Sequence, residues 1–107
     1  MSIIDDIRAR LDKEHDQIIV HENGEPRTLS NDERADMLAF WAVNAYDESM
    51  TMLRRQRDAL LAASDWTQVS DAPVDAKAWA AYRQELRDFP ATITDPTAEV
   101  NWPEPPK

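Results

Sequence analysis

Imidazole binds zinc and moves protons near neutral pH, so the two histidines, His15 and His21, are the first candidates for chemistry. They stand six residues apart, a spacing that no helix brings onto one face. A zinc site needs three or four converging ligands, and the chain has no cysteine to complete one. Nucleophilic catalysis needs a serine or cysteine held by a base, and no local pattern of that kind occurs. The single glycine, Gly24, leaves no glycine-rich phosphate loop. The many carboxylates read as helix starts and solvated faces. No catalytic residue, no metal and no cofactor are expected.

The remaining chemistry lies in guanidinium and aromatic groups. Arg54, Arg55 and Arg57 form the one dense basic patch. It reads as a solvated flank pairing with Asp58 or Glu48, or else as a contact to an acidic partner. Arg83 and Arg87 are one helical turn apart beside Trp79 and Tyr82. They are placed to pair with Asp58, Asp65 or Asp71, or to meet a partner, where arginine and tryptophan dominate binding energy. Trp66 lies upstream, and Trp102-Pro103 closes the set. Trp66, Trp79, Tyr82, Arg83, Arg87, Trp102 and Pro103 are therefore the candidate partner-binding residues. Trp66 and Trp79 are also expected to floor a small core with Leu60 and Leu86, and the tail to lay Trp102 across that floor or across a partner.

The elements that must position these groups are mostly helical. A chain of 107 residues supports one modest core, and a single glycine disfavours a fold rich in turns and bulges. The net charge is −9, which argues against nucleic acid and against anionic membranes. The N-terminus, MSIIDDIRARL, is unlike a signal peptide, and no apolar run is long enough to cross a bilayer. The chain reads as soluble and intracellular.

Ser2 with Asp5 predicts a helix start, and Ile3, Ile4, Ile7 and Leu11 supply its apolar stripe to about Lys13–His15. Asn23-Gly24 predicts a hairpin turn after the β-branched run Ile18-Ile19-Val20. Arg27-Thr28-Leu29 is the return strand, short or at an edge because of Pro26. Ser30 and Glu33 form a capping box, and no proline or glycine follows until Pro73. One helix from about Asn31 to Ala63 is expected, or two with a break near Asp47-Glu48-Ser49. Met37 to Tyr46 carries no charge. A segment apolar all round is buried, and a chain this small implies burial against another subunit. Met37, Leu38, Phe40, Trp41 and Val43 are the oligomerisation candidates.

Asp65-Trp66-Thr67-Gln68 predicts one further turn. Asp75 fits an N-cap, with Val74 stapling against Trp79. Trp79, Tyr82, Leu86 and Phe89 share one helix face, and Pro90 is expected to stop that helix. The last 17 residues should be extended and polyproline-like rather than packed.

The stretch LRRQRDALLAASDWTQVSDAPVDAKAWAAYRQELRDFP, with NWPEPP downstream, resembles the phage tail assembly chaperone family of tailed bacteriophages. The likeness runs from about Leu53 to Pro106. It rests on Arg54 to Leu61, Asp65-Trp66-Thr67-Gln68, Asp71-Ala72-Pro73, Trp79, Tyr82-Arg83, Leu86-Arg87-Asp88, Pro90 and Trp102-Pro103. The tryptophan-tyrosine-arginine helix is also similar to the end of phage tail fibre assembly proteins. Between Ile93 and Val100 the chain has ITDPTAEV, where family members often carry a glycine-containing turn. The resemblance implies a non-enzymatic chaperone that binds and masks a tail or tail fibre protein in the host cytoplasm, or that stays with the virion tail.

The fold class expected is mainly α. Residues 1–30 form an N-terminal helix and β-hairpin, residues 31–64 a long central helix, and residues 53–107 a helical hairpin with a proline-rich tail. The partners expected are a tail or fibre protein and further copies of the chain, with no nucleic acid and no membrane. Two other functions come from different classes. One is a small structural adaptor retained in the tail. The other is an acidic DNA mimic, which needs carboxylates in a phosphate-like row rather than at helix starts.

Overall fold

The computed structural model describes residues 2–107. The order of elements is α1 (Ile3–Glu14), β1 (Ile19–Glu22), β2 (Glu25–Thr28), α2 (Asn31–Ala63), a 3-10 turn (Asp65–Gln68) and α3 (Ala76–Thr92). The protein is mainly α, with one small antiparallel hairpin. Two compact units divide at Asp47 and Glu48.

In the first unit, local chemistry sets the element starts. Ser2 caps α1 by accepting the Asp5 amide at 3.2 Å, and Asp5 and Asp6 lie at the positive end of the helix dipole. Ile7 is the fully buried residue of α1. Asn23 (φ 54°) and Gly24 (φ 82°) both take positive φ, the type I′ geometry that matches strand twist. The register pairs Ile19 with Thr28, Val20 with Arg27 and His21 with Pro26. Strand β2 therefore begins earlier than the sequence implies and includes Pro26. The Leu29 amide donates to the Ile18 carbonyl at 2.8 Å. Alternation from that bonded pair puts Pro26 at a non-bonded position, where its missing N–H costs no ladder bond. The capping box of α2 is complete: the Glu33 amide donates to Ser30 Oγ at 3.2 Å, and the Ser30 amide donates to Glu33 Oε1 at 3.0 Å.

Helix α2 runs unbroken through Asp47-Glu48-Ser49, since nothing there breaks it: the 33 residues contain neither proline nor glycine. Its uncharged segment is not buried all round. Leu38 and Ala42 are buried, whereas Phe40 is 64% and Val43 45% exposed. Arg34, Leu38 and Ala42 recur every fourth residue and form the inward stripe; Phe40 and Val43 lie on the opposite one.

The second unit contains the C-terminal part of α2, the 3-10 turn, α3 and the tail. Asp75 caps α3, its Oδ1 accepting the Lys77 and Ala78 amides at 3.1 and 3.2 Å. Tyr82, Leu86 and Phe89 are buried along one face, and Met50 and Leu53 of α2 are buried within the same unit. Trp66, by contrast, is half exposed. It is not a floor of the core; fully enclosed Leu86 and Thr67 hold the centre.

Pro90 does not end α3, which continues to Thr92. A proline removes its own donor, here to the Leu86 carbonyl, and its ring crowds that carbonyl, which costs about 3 kcal/mol in a helix interior. Burial of Phe89 and Pro90 outweighs it. The Ile93 amide then closes on the Pro90 carbonyl at 3.3 Å. A turn at Asp95-Pro96-Thr97-Ala98 reverses the chain without glycine. The Asp95 side chain accepts the Thr97 amide at 2.9 Å, and proline presets the second turn position. The tail beyond has no regular structure, yet it is anchored: the Trp102 ring lies on Phe89 with centroids 4.5 Å apart.

Candidate protein-binding surface

The exposed aromatic surface of the second unit is supported by a buried arginine. Helix α2 has no basic residue in its last turn, so its terminal carbonyls and negative dipole end need a donor from elsewhere. Arg83 of α3 supplies it. Its guanidinium donates to the Leu61 carbonyl at 2.6 Å, to Ser64 Oγ at 2.8 Å and to Asp65 Oδ1 at 2.7 Å. The side chain is only 10% exposed. Of the three carboxylates that spacing offered, Asp65 is the one it meets. Ser64 Oγ in turn donates to the Leu60 carbonyl at 2.9 Å, and Thr67 Oγ1 donates to the Ser64 carbonyl at 2.6 Å. No buried side-chain nitrogen or oxygen among the described residues lacks a partner.

This fixed corner presents the rings. Trp66 on the 3-10 turn lies 6.3 Å from Trp79 of α3, and Trp79 meets Tyr82 edge-on at 5.6 Å. Edge-to-face contact suits the ring quadrupoles. Exposure falls along the series: Trp66 is half exposed, Trp79 partly buried and Tyr82 buried. Val69 beside the turn is exposed as well. Arg87, the next turn along from Arg83, is exposed.

Trp102 is brought elsewhere, against Phe89 rather than against Trp66 and Trp79, and Pro103 beside it is half-buried. Trp102 borders a cavity of about 340 Å³ with Gln56, Ala59 and Leu60. A second shallow groove, about 360 Å³, runs past Met52, Leu53, Pro96 and Val100. The unit thus carries one mainly apolar concavity, one of mixed character that Glu48, Ser49 and Gln56 also line, and exposed rings. Among the described residues no cluster of three or more metal-ligating side chains occurs, and no helix is long and apolar enough to cross a membrane.

In the first unit the oligomerisation candidates separate. Leu38 is buried, Met37 and Trp41 are half-buried, and Phe40 and Val43 face out. The Trp41 ring is engaged edge-on by His15 at 5.2 Å. Arg34 donates to the carbonyls of Asp12 at 2.9 Å and His15 at 3.0 Å and pairs with the Asp12 carboxylate. Arg27 binds Glu33 through two bonds, at 2.8 and 3.1 Å, and Glu22 at 2.7 Å. Those bonds, with the Ser30 amide, hold the Glu33 carboxyl down to about 2, and the two carboxylates push the Arg27 guanidinium up.

Sequence reasoning missed Arg34 and the docking of Trp102. Arg34 had a readable signal, because it sits on the same every-fourth-residue stripe as Leu38 and Ala42. Trp102 had none, because the intervening chain is irregular.

A small helical protein with exposed aromatic surface and apolar grooves has the features of a protein-binding module. The phage tail assembly chaperone family model matches residues 50–107, more than half of the sequence, and the chain belongs to that family. Membership carries with it a role in phage tail assembly. No curated protein and no solved structure matches the chain.

Proposed function

We propose that the protein binds a tail or tail fibre protein in the host cytoplasm and covers its apolar surface until that protein assembles. The half-exposed Trp66, backed by Trp79 and with exposed Val69 close behind it in the chain, is the client-facing surface. The observation that carries this reading is the exposure of Trp66 on a corner that Arg83 holds rigid. Trp66 is exposed together with Val69 and next to a second ring, and tryptophan anchors dominate interfaces. Trp102 and Pro103 add a second contact from the extended tail, which loses little entropy on docking.

The test is co-expression with the adjoining phage tail genes followed by a pull-down. Trp66→Ala is expected to keep the circular dichroism of the native chain and to lose the client. Full capture by Trp66→Ala would remove this surface from the proposal.

A further inference from the structure

We propose that the outward face of α2 in the first unit binds a cationic amphipathic helix of another protein. The face belongs to a different unit from the client surface above and does not depend on that reading.

Asp32, Asp36, Phe40 and Val43 follow one another at steps of four, four and three, so they share one stripe of α2. Phe40 is 64% exposed and Val43 45%. Beside Phe40 a shallow groove of about 470 Å³ is lined by Val20, Leu29 and Met37. An aromatic ridge next to an apolar groove is the form that takes the apolar face of a helix.

The rim determines which helix. Glu33 and Asp36 line the groove, Asp32 continues the stripe one turn before Asp36, and Glu22 joins them through its ion pair with Arg27. The cation among them is Arg27, already shared between Glu22 and Glu33. Acid is in excess, and Asp36 pairs with no cation among the described residues. Complementarity therefore asks for lysine or arginine flanking an apolar stripe. A second copy of this chain fits less well. A two-fold contact is isologous: parallel helices would set Asp36 against Asp36, and antiparallel helices crossing at Phe40 would set Asp47 of one copy near Asp32 and Glu33 of the other, so either arrangement brings like charges together, which repel.

The probe is a dye-labelled synthetic helical peptide of about 18 residues, long enough to hold a helix, with leucine on one face and lysine on the other. Controls are a scrambled peptide of the same composition and a peptide with glutamate in place of lysine. Fluorescence anisotropy is read at about 0.15 M salt, where exposed charges are largely screened beyond the Debye length. The Leu/Lys helix is expected to bind, and Phe40→Ser to weaken it about tenfold or more, as for a central apolar anchor. Asp36→Asn should weaken it about threefold and flatten its salt dependence. Phe40 is exposed, so its loss should leave the fold intact, which circular dichroism checks. Unchanged affinity in Phe40→Ser, or equal binding of the scrambled or glutamate peptide, overturns the proposal. So does sedimentation showing wild-type dimers that Phe40→Ser dissolves, which would give the face to a second copy.

Discussion

Both units close the C-terminal end of one helix with an arginine from the next, yet they do so in different surroundings. Arg34 reaches the end of α1 with its side chain 19% exposed, beside an Asp12 that is 57% exposed. Arg83 reaches the end of α2 with its side chain 10% exposed and with a buried serine hydroxyl among its acceptors. The chemistry is the same, a planar fork of donors meeting carbonyl oxygens at the negative end of a dipole. The environment differs. Water can replace Arg34 at the rim of its site; behind Arg83 it reaches the Asp65 carboxylate, which is 68% exposed, but has little access to the Ser64 hydroxyl. A buried acceptor left without its donor costs more than an exposed one.

Removing each arginine separately tests that difference. Arg83→Ala should destabilise the protein by about 3 kcal/mol, since it strips a buried charged group from three acceptors. Urea denaturation followed by tryptophan fluorescence would measure it. Arg34→Ala should cost less, about 1–2 kcal/mol, in the same experiment. Equal losses would mean that burial does not separate the two caps.

The smallest effect belongs to the exposed Arg27–Glu33 link. The Glu33 carboxyl lies lower in the folded protein, at about 2, than its ordinary value of 4.5. Its contribution is therefore complete above pH 4.5 and fades as pH falls towards 2. Both partners are solvated, so the size is modest. An acid titration followed by circular dichroism should show Glu33→Gln converging with the wild type at low pH. If the two curves stay parallel across that window, the link contributes nothing that depends on pH.

The same contrast between local and distant partners explains what could be read in advance. Ser2, the Ser30–Glu33 box, Asn23-Gly24 and Asp75 act on neighbours within three residues, so their structures follow from sequence. The 3-10 turn at Asp65 is equally local. Arg34 and Arg83 act across some twenty residues, and spacing alone could not choose Asp65 over Asp58 or Asp71. Pro90 was misjudged because tertiary burial overrides a local helix breaker close to a helix end. The stretch from Met37 to Tyr46 carries no charge, and within one chain the helix buries one stripe of it and leaves Phe40 and Val43 exposed. The candidate surface was legible as residue types, not as an arrangement. Trp66 and Trp79 do meet, Trp102 sits on Phe89, and Arg83 is committed inside the unit.

The two arginine caps also close loops of equal length. Arg34 lies 22 residues from Asp12 and 19 from His15; Arg83 lies 22 from Leu61 and 19 from Ser64. The length-dependent entropy of closing such a loop is about 2.7 kcal/mol in each case. Chain entropy thus handicaps neither unit against the other as the cap forms. Whatever separates the two in strength acts after closure, on the native side, and should appear chiefly as a slower rate of opening for the Arg83 cap. The Arg34 loop leaves the ribosome first, so the weaker cap is the one that forms earlier during synthesis.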